Sequence, residues 1–485
     1  MGIKSTHPLY DQLVSLWKRC RDCYSGSDTI KSETAKYLPP TYGQIKDGFG
    51  TADTRGQQVY DAYLKRAVFP DLYKESIIRA VGDMTAKPAV IELPDSMKML
   101  EERSTVLGES SQSLLRQIYT HILTTGRLGL LGDFKVVNGQ PCPFVSVYQG
   151  VTITNWHYNP EAAEDEGLQL VILDETADEI QDDYTWAPKE QYRVLTKATF
   201  VESDEDGVAG SFRPDSEGDT YVFATTDGST MPAESDFQNL EYLGNTLRTI
   251  PFAFVNPSDL SPDPDNPPLL GLADIVLTIY MGEADYRQHL FLQGEDTLVT
   301  TGANIQEDEV IRTGAGSRID LPVNADAKYI GIQSEGLAEQ REALENDYAR
   351  AQQKAGDPVD VTSRVKESGD ALRRRDASQT VSLTQIALTG AGALESVYKS
   401  LAPLFGANPD EIIVTPNLDF SDDIIEGRTF VDLSQAKSLG TPISRKSIHN
   451  LLVERGLTKL SYEDEIEEIE GELDELSDAD LNLVE

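Results

Sequence analysis

Residues 267–302 read PPLLGLADIVLTIYMGEADYRQHLFLQGEDTLVTTG, and this stretch decides the fold. Two prolines end an irregular segment. Leu272, Ile275, Val276, Ile279, Glu283, Tyr286 and Leu290 then keep helical spacing. Some 20 residues in that register make about 30 Å of helix. From Thr297 the pattern changes to short β-rich runs, Leu298–Thr301, Val310–Thr313, Arg318–Leu321 and Tyr329–Ile332, with Gly302, Gly314 and Gly316 at turns. A second helix opens at Ser334, a residue type suited to cap it, and passes through Leu337, Arg341, Leu344, Tyr348 and Ala351. Gly356-Asp357-Pro358 stops it. A longer helix follows from Glu367 to about Leu404, with Leu383, Ile386, Ala387, Gly390, Leu394, Val397, Leu401 and Leu404 along one face. Gly390 on that face predicts the close approach of another backbone, because glycine otherwise weakens a helix. The pattern is a small strand module inserted between two helices, a Pro-containing loop, and a long returning helix.

Upstream, Asn256–Pro268 carries five prolines in thirteen residues and reads as a stiff connector. Between Leu128 and Val255, runs such as Leu130–Val137, Leu168–Leu173 and Gln191–Val201 are separated by acidic or Gly-containing turns, which predicts antiparallel sheet. The N-terminal part reads as helices. Leu9, Leu13, Leu16, Trp17, Cys20 and Tyr24 form one stripe, and further stripes centre on Tyr60, Ile77 and Ile118. Asp28–Tyr42 reads as a polar loop closed by Pro39-Pro40. Downstream, Ile443–Leu457 is amphipathic, and Ile466, Ile469, Leu473 and Leu476 form the one apolar seam of an acidic helix. The fold class is α+β.

Charge limits function. The chain has 82 acidic against 42 basic residues, a formal charge of −40. Residues 461–485 hold twelve acids and no base, so −28 is spread over the rest. Such a surface repels nucleic acid and anionic membranes. Either the protein avoids DNA or it lets DNA pass without gripping it. A host living in high salt would contribute the same bias. Three cysteines cannot make a disulfide framework, which points to a reducing compartment. No signal-peptide pattern opens the chain, and no apolar run approaches the roughly 18 residues of a membrane span. Met1-Gly2-Ile3-Lys4-Ser5-Thr6 fits the short myristoylation pattern, a frequent chance match.

The search for chemistry finds little. There is no phosphate-binding G-x-x-x-x-G-K-[ST] and no G-x-S-x-G, and the five histidines are scattered. Cys20-Arg-Asp-Cys23 lacks two further zinc ligands and reads as a pair of buried thiols. Glu202–Gly207 imitates a calcium loop, but Arg213 stands where the bidentate Glu belongs. A divalent-metal-dependent enzyme would have to use clusters such as Asp204/Asp206 or Asp263/Asp265. No catalytic residue, cofactor or metal site is therefore expected. Basic residues gather only at Arg364, Lys366 and Arg373–Arg375. For the arginine triplet, pairing with Asp370 and Asp376 is the simpler reading. Arg364 and Lys366 sit in an inter-helix loop, where phosphate is a natural partner.

Tyr37-Leu-Pro39, Tyr60–Phe69, Gly82–Pro94, Gly126–Phe134, the 267–302 block and Glu367–Arg373, taken in order, resemble the portal (head-to-tail connector) proteins of tailed bacteriophages. The resemblance covers roughly residues 37–405. It implies a mixed α/β wing over 1–270, stem helices at 271–294 and 334–355, and a β-rich clip at 295–333. A tunnel loop would occupy 356–366, a helix returning to the wing 367–420, and an acidic α-helical crown 421–485. It further implies a homo-oligomeric ring of about twelve subunits at one capsid vertex. Double-stranded DNA would pass through the ring. The major capsid protein, the large terminase subunit and tail adaptor proteins would be partners, with no membrane. The chain would be made in the host cytoplasm. Asp357, Pro358, Val359, Asp360, Arg364 and Lys366 would be the DNA-facing residues of the tunnel loop. An acidic adaptor of a virion, monomeric until assembly, is the alternative that ring stoichiometry would separate.

Overall fold

The computed structural model describes residues 2–137, 140–161, 167–182, 184–201, 211–215, 218–293, 297–302, 323–330, 335–355, 369–420, 435, 444–454 and 460–469. The chain divides into two units, Met1–Phe420 and Ser421–Glu485.

In the first unit the helical stripes become α1 (Pro8–Ser25), α2 (Ser27–Ser32), α3 (Tyr42–Lys46), α4 (Arg55–Arg66) and α5 (Leu72–Met84). A short strand β1 (Val90–Glu92) and helix α6 (Met99–Glu102) lead to α7 (Ser111–Thr125). Ser110 caps α7 by accepting from Ser113 N, and Gly126 ends it in the left-handed conformation at φ 71°. A side chain at Gly126 would also collide with Pro267, 2.9 Å from the Cβ position. Asp28–Tyr42 differs from its sequence reading. α2 and a 3-10 turn (Thr34–Lys36) occupy it, and Ile30 and Leu38 are buried. Tertiary contact explains this. Buried Asp22 on α1 accepts from Tyr37 Oη (2.7 Å) and Lys36 Nζ (2.9 Å), which folds the segment back onto α1.

The β-rich region contains β2 (Leu128–Val137), β3 (Gln140–Gln149), β4 (Ile153–Tyr158), β5 (Leu168–Asp174), β6 (Ala177–Ile180), β7 (Trp186–Lys189), β8 (Tyr192–Val201), β9 (Ser211–Pro214) and β10 (Thr220–Thr226). Three two-residue strands follow, β11 (Gln238–Asn239), β12 (Glu241–Tyr242) and β13 (Asn245–Thr246), and then β14 (Phe252–Val255). All described pairings are antiparallel, as the turn spacing predicts. The largest sheet runs β11-β10-β8-β5-β4 with β9 beside β8, and a second sheet runs β14-β2-β3. β6 and β7 form a separate ribbon. A polar cluster ties the two larger sheets together. Arg193 on β8 pairs with Asp133 of β2 (3.1 Å) and with Glu175 (3.1 Å), which also accepts from Tyr148 of β3 (2.6 Å).

Next come α8 (Leu270–Gln293), β15 (Thr297–Thr301), β16 (Asp326–Ile330), α9 (Glu335–Ala355) and α10 (Gly369–Leu401). β15 and β16 pair with each other. The expected strands at 310–313 and 318–321, the capping Ser334, and the whole of 356–366 lie outside the described residues. α10 ends at Leu401, close to Leu404, where its apolar stripe is expected to stop. A 3-10 turn (Ala402–Phe405) follows, and β17 (Ile413–Thr415) pairs with β1. Pro403, Gly406 at φ 62° and Pro409 supply the break.

α10 crosses the three-stranded sheet. A Cβ at Gly132 would lie 2.8 Å from Leu401 Cδ1, so only glycine admits the helix there. At Gly390 the close neighbours are side chains, Tyr119 Cε1 at 2.7 Å and Ile118, rather than the backbone the sequence suggested. The main core joins α1, α5, α7, α8 and α10 to the three-stranded sheet through Trp17's neighbours Cys20 and Cys23, Tyr73, Ile118, Leu130, Ile279 and Leu394.

In the second unit, helix α11 (Arg445–Glu454) and a described helical stretch at 462–469 meet at His449. The imidazole stacks edge-on to Tyr462 (5.4 Å), and its Nε2 lies 3.8 Å from Glu465. Leu473 and Leu476 are outside the described residues.

Candidate functional site

The site implied by the sequence centres on the helices that bracket the strand module. α8 and α9 pack as an antiparallel pair. A Cβ at Gly282 would lie 2.9 Å from Leu344 Cδ2, and one at Gly271 2.5 Å from Lys354 Nζ. Near the far end of α8, His289 Nδ1 lies 3.0 Å from Gln340 Oε1. Between these points Tyr348 Oη donates to Glu283 (3.3 Å). Small residues on α8 therefore let α9 approach, and polar contacts fix the register.

The rest of the unit holds α8 along most of its length. Tyr63 on α4 donates to Asp285 (2.6 Å), Arg66 donates to Gln288, and Arg19 on α1 pairs with Asp274 (2.7 Å). Phe69 meets Tyr280 edge to face at 5.8 Å. Burial and the Asp285 contact push the Tyr63 hydroxyl far above its ordinary pKa, so it stays a donor at any physiological pH. α8 presents Asp274, Thr278, Met281, Asp285, His289 and Leu292 along one exposed stripe.

Charge on the pair is acidic. Glu283, Asp274 and Asp285 on α8, with Glu335, Glu339, Glu342, Glu345 and Asp347 on α9, face only Arg287, Arg341, Arg350 and Lys354. Three of those bases are spent on neighbouring carboxylates: Arg287 on Glu283 (2.7 Å), Arg341 on Glu345 (3.4 Å) and Arg350 on Asp347 (3.5 Å). A polyanion beside this pair meets a surplus of carboxylates and arginines already engaged.

The tunnel-loop residues Asp357, Pro358, Val359, Asp360, Arg364 and Lys366 lie outside the described residues. So do Asp204 and Asp206. Of the second acidic pair, Asp263 gives its main-chain carbonyl to Asn256 Nδ2 (2.9 Å), and Asp265 accepts from Ser258 Oγ. Among the described residues, no group of three or more His, Cys, Asp or Glu side chains is arranged to hold a metal. Cys20 and Cys23 are buried, and burial pushes the Cys20 thiol up to about 11 and Cys23 higher still. No described helix is long and apolar enough to cross a membrane.

Sequence reading missed Arg127. Its side chain is fully buried, and it organises the proline-rich connector. Its Nη1 donates to Asn256 Oδ1 (2.9 Å) and Ser261 O (3.0 Å), and its Nη2 to Pro262 O (2.6 Å). The guanidinium lies over Phe254 (4.1 Å) and Trp156 (5.3 Å). Burial pulls its pKa down to about 9, which leaves it cationic at neutral pH. The only local signal was an arginine directly after the helix-ending Gly126. Its partners stand some 130 residues away.

Residues 268–403 match a family described as a domain of unknown function (DUF4055). No curated protein matches the sequence at a significant level. Among solved structures, the chain is similar to a component of the virion of a native gene transfer agent particle, at 13% identity, 84% of this chain, 98% of that chain and a TM-score of 0.38. It is similar to the neck of an empty particle computed with C6 symmetry (13% identity, 86% and 98% coverage, TM-score 0.37). It is also similar to the neck of a native particle computed with C12 symmetry (13% identity, 85% and 98% coverage, TM-score 0.36). Likenesses this loose do not establish a shared fold.

Proposed function

We propose that this chain is a portal-type subunit, which assembles into a ring at one vertex of a phage-like capsid and lets double-stranded DNA pass in and out. The observation that carries the reading is the close antiparallel pair α8–α9, which brackets the β15–β16 ribbon and is followed in sequence by the long helix α10. That is the order of stem, clip and returning helix which the sequence resemblance implies. On this reading α8 and α9 are the stem and 297–330 belongs to the clip. Residues 356–366 form the tunnel loop, and 421–485 the crown.

Electrostatics supports a conduit rather than a grip. Each phosphate neutralised by Lys or Arg adds affinity and slows sliding. The α8–α9 surface offers carboxylates and arginines already paired, so a duplex passing close by finds few cationic contacts. The field fades within about 8 Å in physiological salt, so only walls close to the duplex act on it. The reading assigns no catalytic step to the chain. The motor that drives DNA, the large terminase subunit, and later the tail adaptors, would dock on the clip, and the major capsid protein would surround the wing.

Light scattering on purified protein tests this directly. The expected mass is that of a ring of about twelve subunits of 53.4 kDa, with an axial hole in negative-stain images. A stable single-copy species under all salt conditions would overturn it.

A further inference from the structure

One strand edge in the first unit opens onto a groove, and one ribbon of the same chain joins no other strand among the described residues. β14 is an edge strand, and among the described residues β2 is the one strand that pairs with it. Gly132 N donates to Pro251 O (2.8 Å), so in the antiparallel alternation Pro251, Ala253 and Val255 face β2. Phe252 and Phe254 then turn their main-chain groups the other way. Phe252 N is satisfied locally by Ile250 O (2.7 Å), which leaves the Phe252 carbonyl and both groups of Phe254 on the outer edge. Along that edge runs a groove of about 970 Å³. Ile250, Phe252 and Leu168 supply apolar lining, and α10 lines it with Gly392, Ser396 and Ser400 beside the charged Glu395 and Lys399. Two other edges are capped by single bonds: Thr154 of β4 accepts from His7 N (2.9 Å), and Val145 of β3 donates to Ser104 O (2.7 Å).

The β6–β7 ribbon is the counterpart. It pairs only within itself among the described residues. A two-stranded ribbon of four-residue strands is marginal without something to pack on. Ile180 stands opposite Trp186 in the register, on one face, and Tyr184 sits in the turn. They are 49%, 65% and 90% exposed, although Trp and Tyr are the residues that anchor interfaces most strongly.

We infer that the β6–β7 ribbon of one copy docks in the β14–α10 groove of the next, adding strand to the free edge and burying Trp186 against the apolar lining. Main-chain bonds would supply affinity, and the aromatic anchor would set the register. Groove and ribbon are different surfaces, so the contact is head-to-tail and propagates around a ring. The inference rests on the proposed ring and names a contact that holds it.

Two measurements test it. The chain has three tryptophans, of which Trp17 and Trp156 are buried and Trp186 is exposed, so emission reports on the ribbon without any substitution. Emission should shift to the blue as dilute protein assembles, and Trp186→Phe should abolish the shift. In a Cys142→Ser background, mixing Tyr184→Cys protein with Ser396→Cys protein should give an oxidised dimer. Tyr184→Cys mixed with Thr278→Cys, on the exposed stripe of α8, should not. Rings that form with solvent-like Trp186 emission and no 184–396 cross-link would overturn this contact and leave the conduit standing. A 184–396 dimer without rings would keep the contact and overturn the conduit. If neither rings nor dimer form, both fail.

Discussion

At the scale of single residues, burial decides chemistry. Cys20 and Cys23 share a C-x-x-C spacing but are buried, as the sequence reads, and burial keeps both thiols protonated. Thiolate is the reactive form, so the folded protein should release only Cys142 readily to a thiol reagent, and all three cysteines after denaturation. Fast reaction of two or three thiols in the native state would contradict the packing around α1. Arg127 is the converse case, a charge retained in the core because both of its terminal nitrogens donate to fixed oxygens. Arg127→Ala would strand Asn256 Oδ1 and the Pro262 carbonyl, while Ser261 O would keep its bond from Asn256 Nδ2 (3.0 Å), at a cost of about 3 kcal/mol. Arg127→Lys should recover part of that loss, since a single ammonium cannot span the same partners. Thermal melts of the two variants would check both statements.

Asp133 carries a pH signature at the same scale. Burial raises its pKa, and the Phe134 amide and Arg193 oppose that only in part. A carboxyl whose folded pKa lies above its unfolded value binds its proton more tightly in the fold. Its contribution is therefore full at pH values below the ordinary carboxylate pKa and is lost as pH rises through the folded value. Relative to Asp133→Asn, the native protein should lose thermal stability as pH rises above the ordinary carboxylate range. A parallel pair of melting curves over that rise would refute the assignment.

At the scale of elements, glycines mark where helices meet. Gly390 and Gly392 are two residues apart on α10, yet a Cβ at Gly390 would press on Tyr119 while one at Gly392 would meet nothing within 4 Å. Helix propensity favours alanine over glycine by up to about 1 kcal/mol at both sites. Overpacking typically costs about 1–3 kcal/mol and applies only at the first. Gly392→Ala should therefore raise the melting temperature of the unassembled chain, and Gly390→Ala should lower it. Equal shifts for both would mean that α10 is rotated from the position described. Gly282 does the same service for α8, where Leu344 of α9 occupies the space a side chain would need.

At the scale of the whole molecule, the acidic surplus and the proposed ring act together. Copies placed around an axis repeat each carboxylate at the same height, so a bore lined by such helices repels a threaded duplex from all sides. Substituting Arg364 and Lys366 by Glu should alter DNA packaging or genome retention while leaving the ring mass unchanged by light scattering. Failure of that double variant to assemble would show that 356–366 is a structural joint rather than a loop facing DNA.

The sequence by itself determined the alternation of textures: helical stripes, short antiparallel strands, the proline-rich break, and helices on both sides of a strand module. Those features rest on local periodicity and on Gly and Pro, whose backbone limits act without distant partners. It also determined the charge, since that is a count of side chains and needs no fold. Tertiary structure alone decided that 28–42 folds back on Asp22, that Arg127 holds the proline segment from inside, and that Gly390 yields to side chains instead of backbone. It alone decided that β14 keeps an open edge while Trp186 stands in solvent. Each of these depends on pairs of residues far apart in the chain, and no repeat or spacing records which of many polar or aromatic residues will meet once the core closes.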